Sequence, residues 1–515
     1  MVRTLGTYVD YRVSVAYVGT VLKYIGVAPA FPLVLALYYG EDPVPFVVTI
    51  AVMIGGGVLL EWFDTGAELG DREAFLLVSL AWLIVPLVGT VPYLVAGTFS
   101  VANPINAMFE SMSGFTTTGA TVLEEISVER HGYAMMMWRQ ITQWLGGMGI
   151  LVLMVAILPE LSVGGAQVID QEAPGLSLEK LTPRIQETAR ALWGIYAGFT
   201  LLAVGVYYGL YVGGVAPNMD LYNAVAHALT TMPTGGFSPE PRSMEAFSPA
   251  VQWTAMPFMF VAGTNFALFW YVLRGQPRRL THNTEFRAYL LAVAGFGAIV
   301  SAVLFSGAGI AEAPANLDPI PGNAETALRQ GLFQVVAIVT TTGYASMDVN
   351  TWDASAQTIL LFAYFLGGSA GSAAGSIKIV RWVLVEKSVR RTLFTTLHPE
   401  AVRPIRLKQV VVDETTVRDV FAFVMLFLTL FAVSTILLYL DSLRTSDVTL
   451  SGLDAMSVAI ATLGNVGPGF GVVGPMNSFR PFSTPAKLYM VFLMWVGRLE
   501  VLSVLIVFTP SFWRR

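Results

Sequence analysis

The sequence contains no cysteine. That excludes disulfides, thiol catalysis and iron–sulfur ligation. Charge is scarce too. Asp, Glu, Lys and Arg make up 13% of the 515 residues, about half the share of an ordinary soluble chain. The four histidines, His131, His227, His282 and His398, are scattered without ligand spacing, which argues against a protein metal site. No GxGxxG or GxxxxGKS/T string lies between a strand and a helix, so no nucleotide cofactor is expected in the chain. No nucleophile–base arrangement reads as an enzyme's, and no nucleic-acid partner is expected.

What is present is apolar. Hydrophobic residues make up 55% and mean hydropathy is +0.63, with runs of about 20 or more apolar residues along the whole chain, enough to cross a bilayer. The chain reads as an all-α polytopic membrane protein with ten spans, at 13–38, 44–62, 74–97, 135–158, 186–212, 251–273, 287–309, 355–385, 417–440 and 486–508. The first lacks a small-residue cleavage signal and reads as a retained span. The net charge of -5 matters less than its distribution. Arg274, Arg278, Arg279 and Arg287 follow the sixth span. Lys387, Arg390, Arg391, Arg403, Arg406, Lys408 and Arg418 follow the eighth. The opposite connections carry one or two basic residues each, so both termini are expected in the cytoplasm. The acidic connection 61–73 disagrees, but acids count little in that rule.

Shorter segments recur between the spans. NPINAMFESMSGFTTTGA at 103–120 is moderately apolar and too short to cross. YNAVAHALTTMPTGGF at 222–237, RQGLFQVVAIVTTTGY at 329–344 and GLDAMSVAIATLGNVGPG at 452–469 hold the same position between later spans. Aligned on Gly119, Gly235, Gly343 and Gly467, each glycine follows a helix-compatible stretch of about ten residues. The glycines lie 116, 108 and 124 residues apart. Four copies of one unit follow: span, short half-helix, extended turn, span. Two spans at the N-terminus are left over. The division is then 1–70 for the extra pair, with repeats at 71–180, 181–280, 281–410 and 411–515.

The bilayer gives this unit a physical purpose. Unpaired backbone groups facing lipid cost several kcal/mol each, so non-helical backbone survives only around a water-filled cavity. A helix ending halfway aims its C-terminal dipole, about -0.5 charge, at the centre. The extended residues beyond it can replace an ion's hydration shell with carbonyl oxygens, and glycine tolerates the backbone angles this requires. Any one copy is equally readable as a turn in a re-entrant loop. Four copies in one register read as ion-coordinating backbone.

These residues resemble the potassium transporters of the TrkH, KtrB and plant HKT superfamily, over about residues 1–510. The resemblance rests on FTTTGA, MPTGGF, VTTTGY and LGNVGPG, on GGSAGSAAGSIK at 367–378 and on GRLE at 497–500. It implies four pseudo-symmetric units, each a transmembrane helix, a pore helix and a second transmembrane helix, in one chain. The extra N-terminal pair makes the chain more similar to TrkH than to KtrB. The resemblance makes Thr117, Thr118 and Gly119, then Pro233, Thr234 and Gly235, then Thr341, Thr342 and Gly343, and finally Asn465, Val466 and Gly467 the filter strands around a transported potassium ion. Sodium-admitting relatives often carry serine where this chain has Gly119. Pro233 and Asn465 make the coordination shell uneven.

The run Gly367, Gly368, Ser369, Ala370, Gly371, Ser372, Ala373, Ala374, Gly375 and Ser376 lies within an overlong span. Small residues there allow tight helix packing, but glycine destabilises helix interiors. The resemblance implies an intramembrane gate loop below the filter, with Lys378 anchoring it or placing charge at the inner mouth. Arg498 stands mid-span, where an arginine needs a polar interior or a partner. It either pairs internally or faces the pathway, and the resemblance favours the pathway. Glu500 is two residues on, off its helix face, and is expected to tie the fourth repeat to a neighbouring helix. Glu110 and His227 shape an outer vestibule or cap local polar groups. Arg139, Gln140 and Gln143 are expected near the outer surface, binding headgroups or neighbouring loops. Trp138, Trp144, Trp253, Trp270 and Trp382 are expected in interfacial belts.

The expected function is potassium uptake across the cytoplasmic membrane of a prokaryote. The alternative is a sodium-permeable or ion-coupled symporter of the same fold. A membrane enzyme or structural protein would leave the four loops without a role. The resemblance further implies a homodimer on a cytosolic ring of nucleotide-binding regulatory subunits, with 274–286 and 386–416 as docking connections. Attraction to anionic lipid explains the same basic residues.

Overall fold

The computed structural model describes residues 9–67, 69–97, 99–149, 185–312, 319–407, 410–445 and 447–514. The protein is all-α, apart from a two-residue hairpin pairing Arg406–Leu407 with Val410–Val411. Six helices among the described residues are long and apolar enough to cross a membrane: Tyr11–Tyr39, Val44–Glu61, Asp71–Ala96, Glu187–Val212, Thr284–Ser306 and Glu414–Arg444. The first two are the N-terminal pair. The other four each open one repeat.

The sequence marks only the 355–385 span as overlong and interrupted; among the described residues the closing helices of the second and fourth repeats break as well, and that of the first ends at Gly147. In the first repeat, Tyr133–Gly147 ends before Gly149 at φ +76°; residues 150–158 of the expected span lie outside the described residues. In the second, Pro249–Ala262 and Phe266–Leu273 meet at 98°. In the third, Ala354–Ala363 and Ile379–Leu397 are separated by fifteen residues without a helix, 364–378. In the fourth, Thr484–Arg498 and Leu502–Val507 are separated by a break where Glu500 and Val501 both take φ +54°. Close backbone approach accounts for two of the breaks. A Cβ on Gly146 would overlap the Phe115 carbonyl, and one on Gly497 would overlap that of Leu463. Side chains are excluded there, and glycine in turn weakens the helix.

Between each pair of helices stands a short one: Pro104–Phe115, Leu221–Thr231, Ala324–Val339 and Gly452–Leu463. Each starts on a side-chain cap, from Asn103, Asp220, Asn323 and Ser451, which accepts a backbone N–H of the first turn. Such caps satisfy donors that a helix start leaves unpaired. Most residues of these helices are buried, whereas the long helices outside them present leucine, valine and tyrosine to the surroundings, as lipid-facing helices do. The short helices and the strands that follow them form the centre of the molecule.

Candidate functional site

Two or three residues beyond each short helix the chain turns through a left-handed residue. Thr117, Thr234, Thr341 and Asn465 take φ of 53°, 56°, 57° and 53°. Their N–H groups donate to Gly114, Thr231, Ile338 and Thr462, three residues back in each case. Non-glycine residues pay about 1–3 kcal/mol for this conformation, and it persists where surroundings over-determine it. Two residues on, Gly119, Gly236, Gly343 and Gly467 take φ of 83°, 78°, 71° and 103°. The residue between them is right-handed or extended in every strand. Alternating handedness turns successive carbonyls toward one side, whereas a β-strand alternates them.

The strands close a ring. A Cβ on Gly119 would overlap the Gly235 carbonyl oxygen; on Gly236, that of Thr342; on Gly343, that of Val466. On Gly467 it would lie 2.5 Å from the Thr118 carbonyl oxygen, which completes the circuit. The glycines are needed twice over, for φ and for space.

The second strand's register differs from the sequence alignment by one residue. Gly236, not Gly235, corresponds to Gly119, Gly343 and Gly467. Gly235 corresponds to Thr118 and Val466: all three donate to a carbonyl five residues back, on Thr230, Ser113 and Ala461. The three-residue strand is thus Thr234–Gly236, and Pro233 precedes it. MPTGGF offers two adjacent glycines, and choosing between them requires the fold. Gly235 is a glycine for another reason: a Cβ would run into the Gln143 side chain.

Arg139 and Gln143 are buried beside the ring, not at the outer surface, and Gln140 beside them is fully buried too. Arg139 Nε donates to Glu110 Oε1 at 2.8 Å, with both side chains almost wholly buried. Glu110 Oε2 accepts from the Val122 N–H at 2.9 Å, and Arg139 Nη1 donates to the Ser238 carbonyl at 3.2 Å. One ion pair thus holds the chain leaving both the first and second strands. Trp138, expected at an interface, is also interior and donates to the Gly89 carbonyl at 3.3 Å. His227 bonds Ser238 Oγ at 3.0 Å, which supports the loop after the second strand. Beside the third strand, the Tyr344 hydroxyl meets Thr230 Oγ1 at 2.5 Å and donates to the His227 carbonyl at 3.0 Å. Asn465 Nδ2 donates to Thr118 Oγ1 and to the Met494 carbonyl, each at 2.9 Å, linking the fourth strand to the first.

The 367–376 run lies at the end of the ring where the left-handed residues begin. The Gly375 N–H donates to Thr341 Oγ1 at 2.7 Å. The Ser369 N–H donates to the Gly263 carbonyl at 2.8 Å, and Gly371 O accepts from the Phe266 N–H at 3.1 Å. Gly367 donates to Ile377 O at 2.9 Å, and Gly368 O accepts from Ile379 at 3.2 Å, closing the loop's base. Ser372 Oγ donates to Ser369 O, and Ser376 Oγ to Tyr364 O.

Charged side chains hold the same loop. Glu285 accepts from the Ala370 N–H at 2.6 Å, and buried Lys378 donates to the Ala374 carbonyl. Arg498 donates to the Ala373 carbonyl at 2.8 Å and to the Gly146 and Gly147 carbonyls at 2.6 and 3.0 Å. It sits at the end of its helix, not mid-helix, and joins the loop to the first repeat. Glu500 pairs with Arg381 of the third repeat, a link between neighbouring helices of the expected kind. Sequence reasoning passed over Glu285, Arg381 and Gly236. The first two had a signal: ionisable residues at the edges of apolar segments.

At the ring's other end a small cavity is lined by Gly119, Gly236, Gly343 and Pro468, with Arg139 and Glu240 at its side. A wider cavity of about 870 Å³ adjoins it, with Glu124, Glu125, Asp447 and Arg480 in its wall. Burial raises the Glu240 carboxyl above its ordinary range, and Asn223 opposes that shift by donating a hydrogen bond. The arrangement offers no reactive group. It offers converging backbone oxygens, a loop across one end and an acidic cavity at the other.

Comparison with known proteins agrees. The TrkH family profile, described as a cation transport protein, matches residues 45–515. The Trk system potassium uptake protein TrkH of Halomonas elongata is 34% identical over 512 residues, covering 98% of this chain and 99% of that protein. The protein of the same name from Escherichia coli K12 is 33% identical over 510 residues, with the same coverage. The crystal structure of the potassium transporter TrkH from Vibrio parahaemolyticus superposes with a TM-score of 0.82 at 31% identity, covering 98% of this chain and all of that one. A profile spanning most of the chain, full-length relatives above 30% identity and a shared fold together place this polytopic membrane protein in the TrkH family of cation transport proteins.

Proposed function

We propose that this chain takes up potassium ions through the ring of four strands. The carrying observation is the closed circuit of Gly119, Gly236, Gly343 and Gly467 against their neighbours' carbonyls. A cation gathered in the acidic cavity exchanges water for carbonyl oxygens of 117–119, 234–236, 341–343 and 465–467. It is held there by the C-terminal dipoles of four short helices. Both termini lie in the cytoplasm on this reading, and the 367–376 loop is the gate, held shut through Thr341, Glu285, Lys378 and Arg498. The potassium uptake named for the relatives supports the cargo.

No covalent step and no cofactor is required. An inside-negative potential supplies about 2.3 kcal/mol per 100 mV for each charge moved. Assembly follows the family resemblance: a homodimer, with 274–286 and 386–416 meeting a cytosolic ring of nucleotide-binding subunits that opens the loop. Residues 408 and 409 of that connection lie outside the described residues.

Tracer flux into liposomes holding the purified chain tests the reading, under an inside-negative potential and without proton or sodium gradients. Rubidium uptake exceeding sodium uptake is the expected result. Uptake only after a proton or sodium gradient is imposed replaces the passive pore with a coupled symporter. Equal uptake of both cations removes the selectivity.

A further inference from the structure

Of the four middle carbonyls in the ring, on Thr118, Gly235, Thr342 and Val466, only that of Gly235 receives a side-chain hydrogen bond among the described residues. Gln143 Nε2 donates to it at 2.7 Å. The same amide's Oε1 accepts from the Phe237 N–H at 3.0 Å. One donor and one acceptor, two residues apart on one strand, define which end of the amide is which. Gln143 belongs to the first repeat, so one repeat's side chain sets another repeat's strand. The fit is tight, since a Cβ on Gly235 would collide with the amide. One helical turn earlier, Arg139 lies 4.0 Å over the Phe237 ring and is itself fixed by Glu110.

We propose that Gln143 is a selectivity-setting positioning residue: its amide fixes the direction and spacing of the Gly235 carbonyl, and thereby the width of the ring at that level. The inference rests on the pore reading above. A ring of carbonyls discriminates cations through the number and spacing of its oxygens, and spacing survives only where supporting groups lock it. The other three middle carbonyls receive no side-chain hydrogen bond among the described residues. The fourth, on the Gly-Gly strand with the least side-chain packing of its own, is placed by Gln143.

Gln143→Met keeps the volume and loses both hydrogen bonds. Its rubidium-to-sodium uptake ratio is expected to fall about fivefold, the factor that one neutral hydrogen bond is worth. Gln143→Glu separates positioning from packing. Protonated, the introduced carboxyl supplies the same donor and acceptor; ionised, it supplies no donor. Its ratio is expected to approach wild type at about pH 5 and to fall by about pH 8, the range in which a buried carboxyl titrates. Wild type and Gln143→Met serve as references at both values. Among the described residues, Arg139, paired to Glu110, lies one turn away on the same helix, and Glu240 and His227 both bond Ser238, the residue after Phe237.

If Gln143→Met does not give folded protein, Gln143→Glu at the lower pH carries the test. A selective wild type with Gln143→Met unchanged, or with Gln143→Glu following the wild-type pH profile, overturns this inference alone. A wild type that does not discriminate removes the selectivity proposed above, and this inference with it.

Discussion

Glu110 and Arg139 are the buried charges on which the ring depends most. Both are desolvated, and each is satisfied by the other and by backbone from different strands. Such a pair adds little when intact, but removing one partner strands the other charge, at about 3–5 kcal/mol. Glu110→Gln is therefore expected to lower thermal stability by that order in detergent, measured by the melting of purified protein. A variant melting like wild type would show that Arg139 finds another partner. The residues themselves carried some of this information. A glutamate inside a short apolar helix and an arginine in the next helix are unusual, but nothing in their order says that they meet. Tyr344 and Thr230 are likewise ordinary residues until a distance of 2.5 Å joins them.

At the scale of elements, the repeats share one division of labour. The opening helix is continuous in the second, third and fourth repeats, where it faces lipid and must satisfy its own backbone; in the first, which the N-terminal pair covers, it is interrupted at Gly89 and Thr90. The closing helix breaks, because it lies against the short helices and strands, where other backbone groups and side chains take up the freed hydrogen bonds. Small-residue content pointed to a break in the third repeat. The helix end at 147–149 and the breaks at 263–265 and 499–501 escaped notice, because one or two glycines in an apolar run also suit a tightly packed helix. The third repeat's loop is distinguished by its bond to the ring, from the Gly375 N–H to Thr341 Oγ1. Thr341→Val removes the acceptor and leaves that N–H unpaired. On the gating reading, rubidium leak without a cytosolic partner rises about fivefold, as the loss of one hydrogen bond allows. Thr341→Ser, which keeps the acceptor, raises it less. Equal leak from wild type and Thr341→Val would separate the loop from control of flux.

At the scale of the whole molecule, the N-terminal helix pair is anchored to the first repeat. Glu41, between those two helices, accepts from the Tyr133 and Ala134 N–H groups at 2.6 and 2.9 Å, at the start of Tyr133–Gly147. Tyr39 stacks on Tyr133 with centroids 4.1 Å apart. A carboxylate at a helix N-terminus also complements the dipole. Glu41→Ala is expected to cost about 1–3 kcal/mol, the penalty for buried donors left unpaired, read as a lowered melting temperature. No change would mean that the stacked tyrosines suffice. Residue order alone dictated the membrane class, the fourfold repeat and the glycine-rich strands. Each of these follows from a local demand: apolar length for the bilayer, a short helix-compatible stretch before each extended turn, glycine where φ is positive. Packing alone settled which of two adjacent glycines joins the ring, where the closing helices break, and that Gln143, Glu285 and Arg381 bear on strands or loops far along the chain. Those outcomes depend on contacts between residues from tens to more than a hundred positions apart, which only the folded repeats and their closed ring bring together.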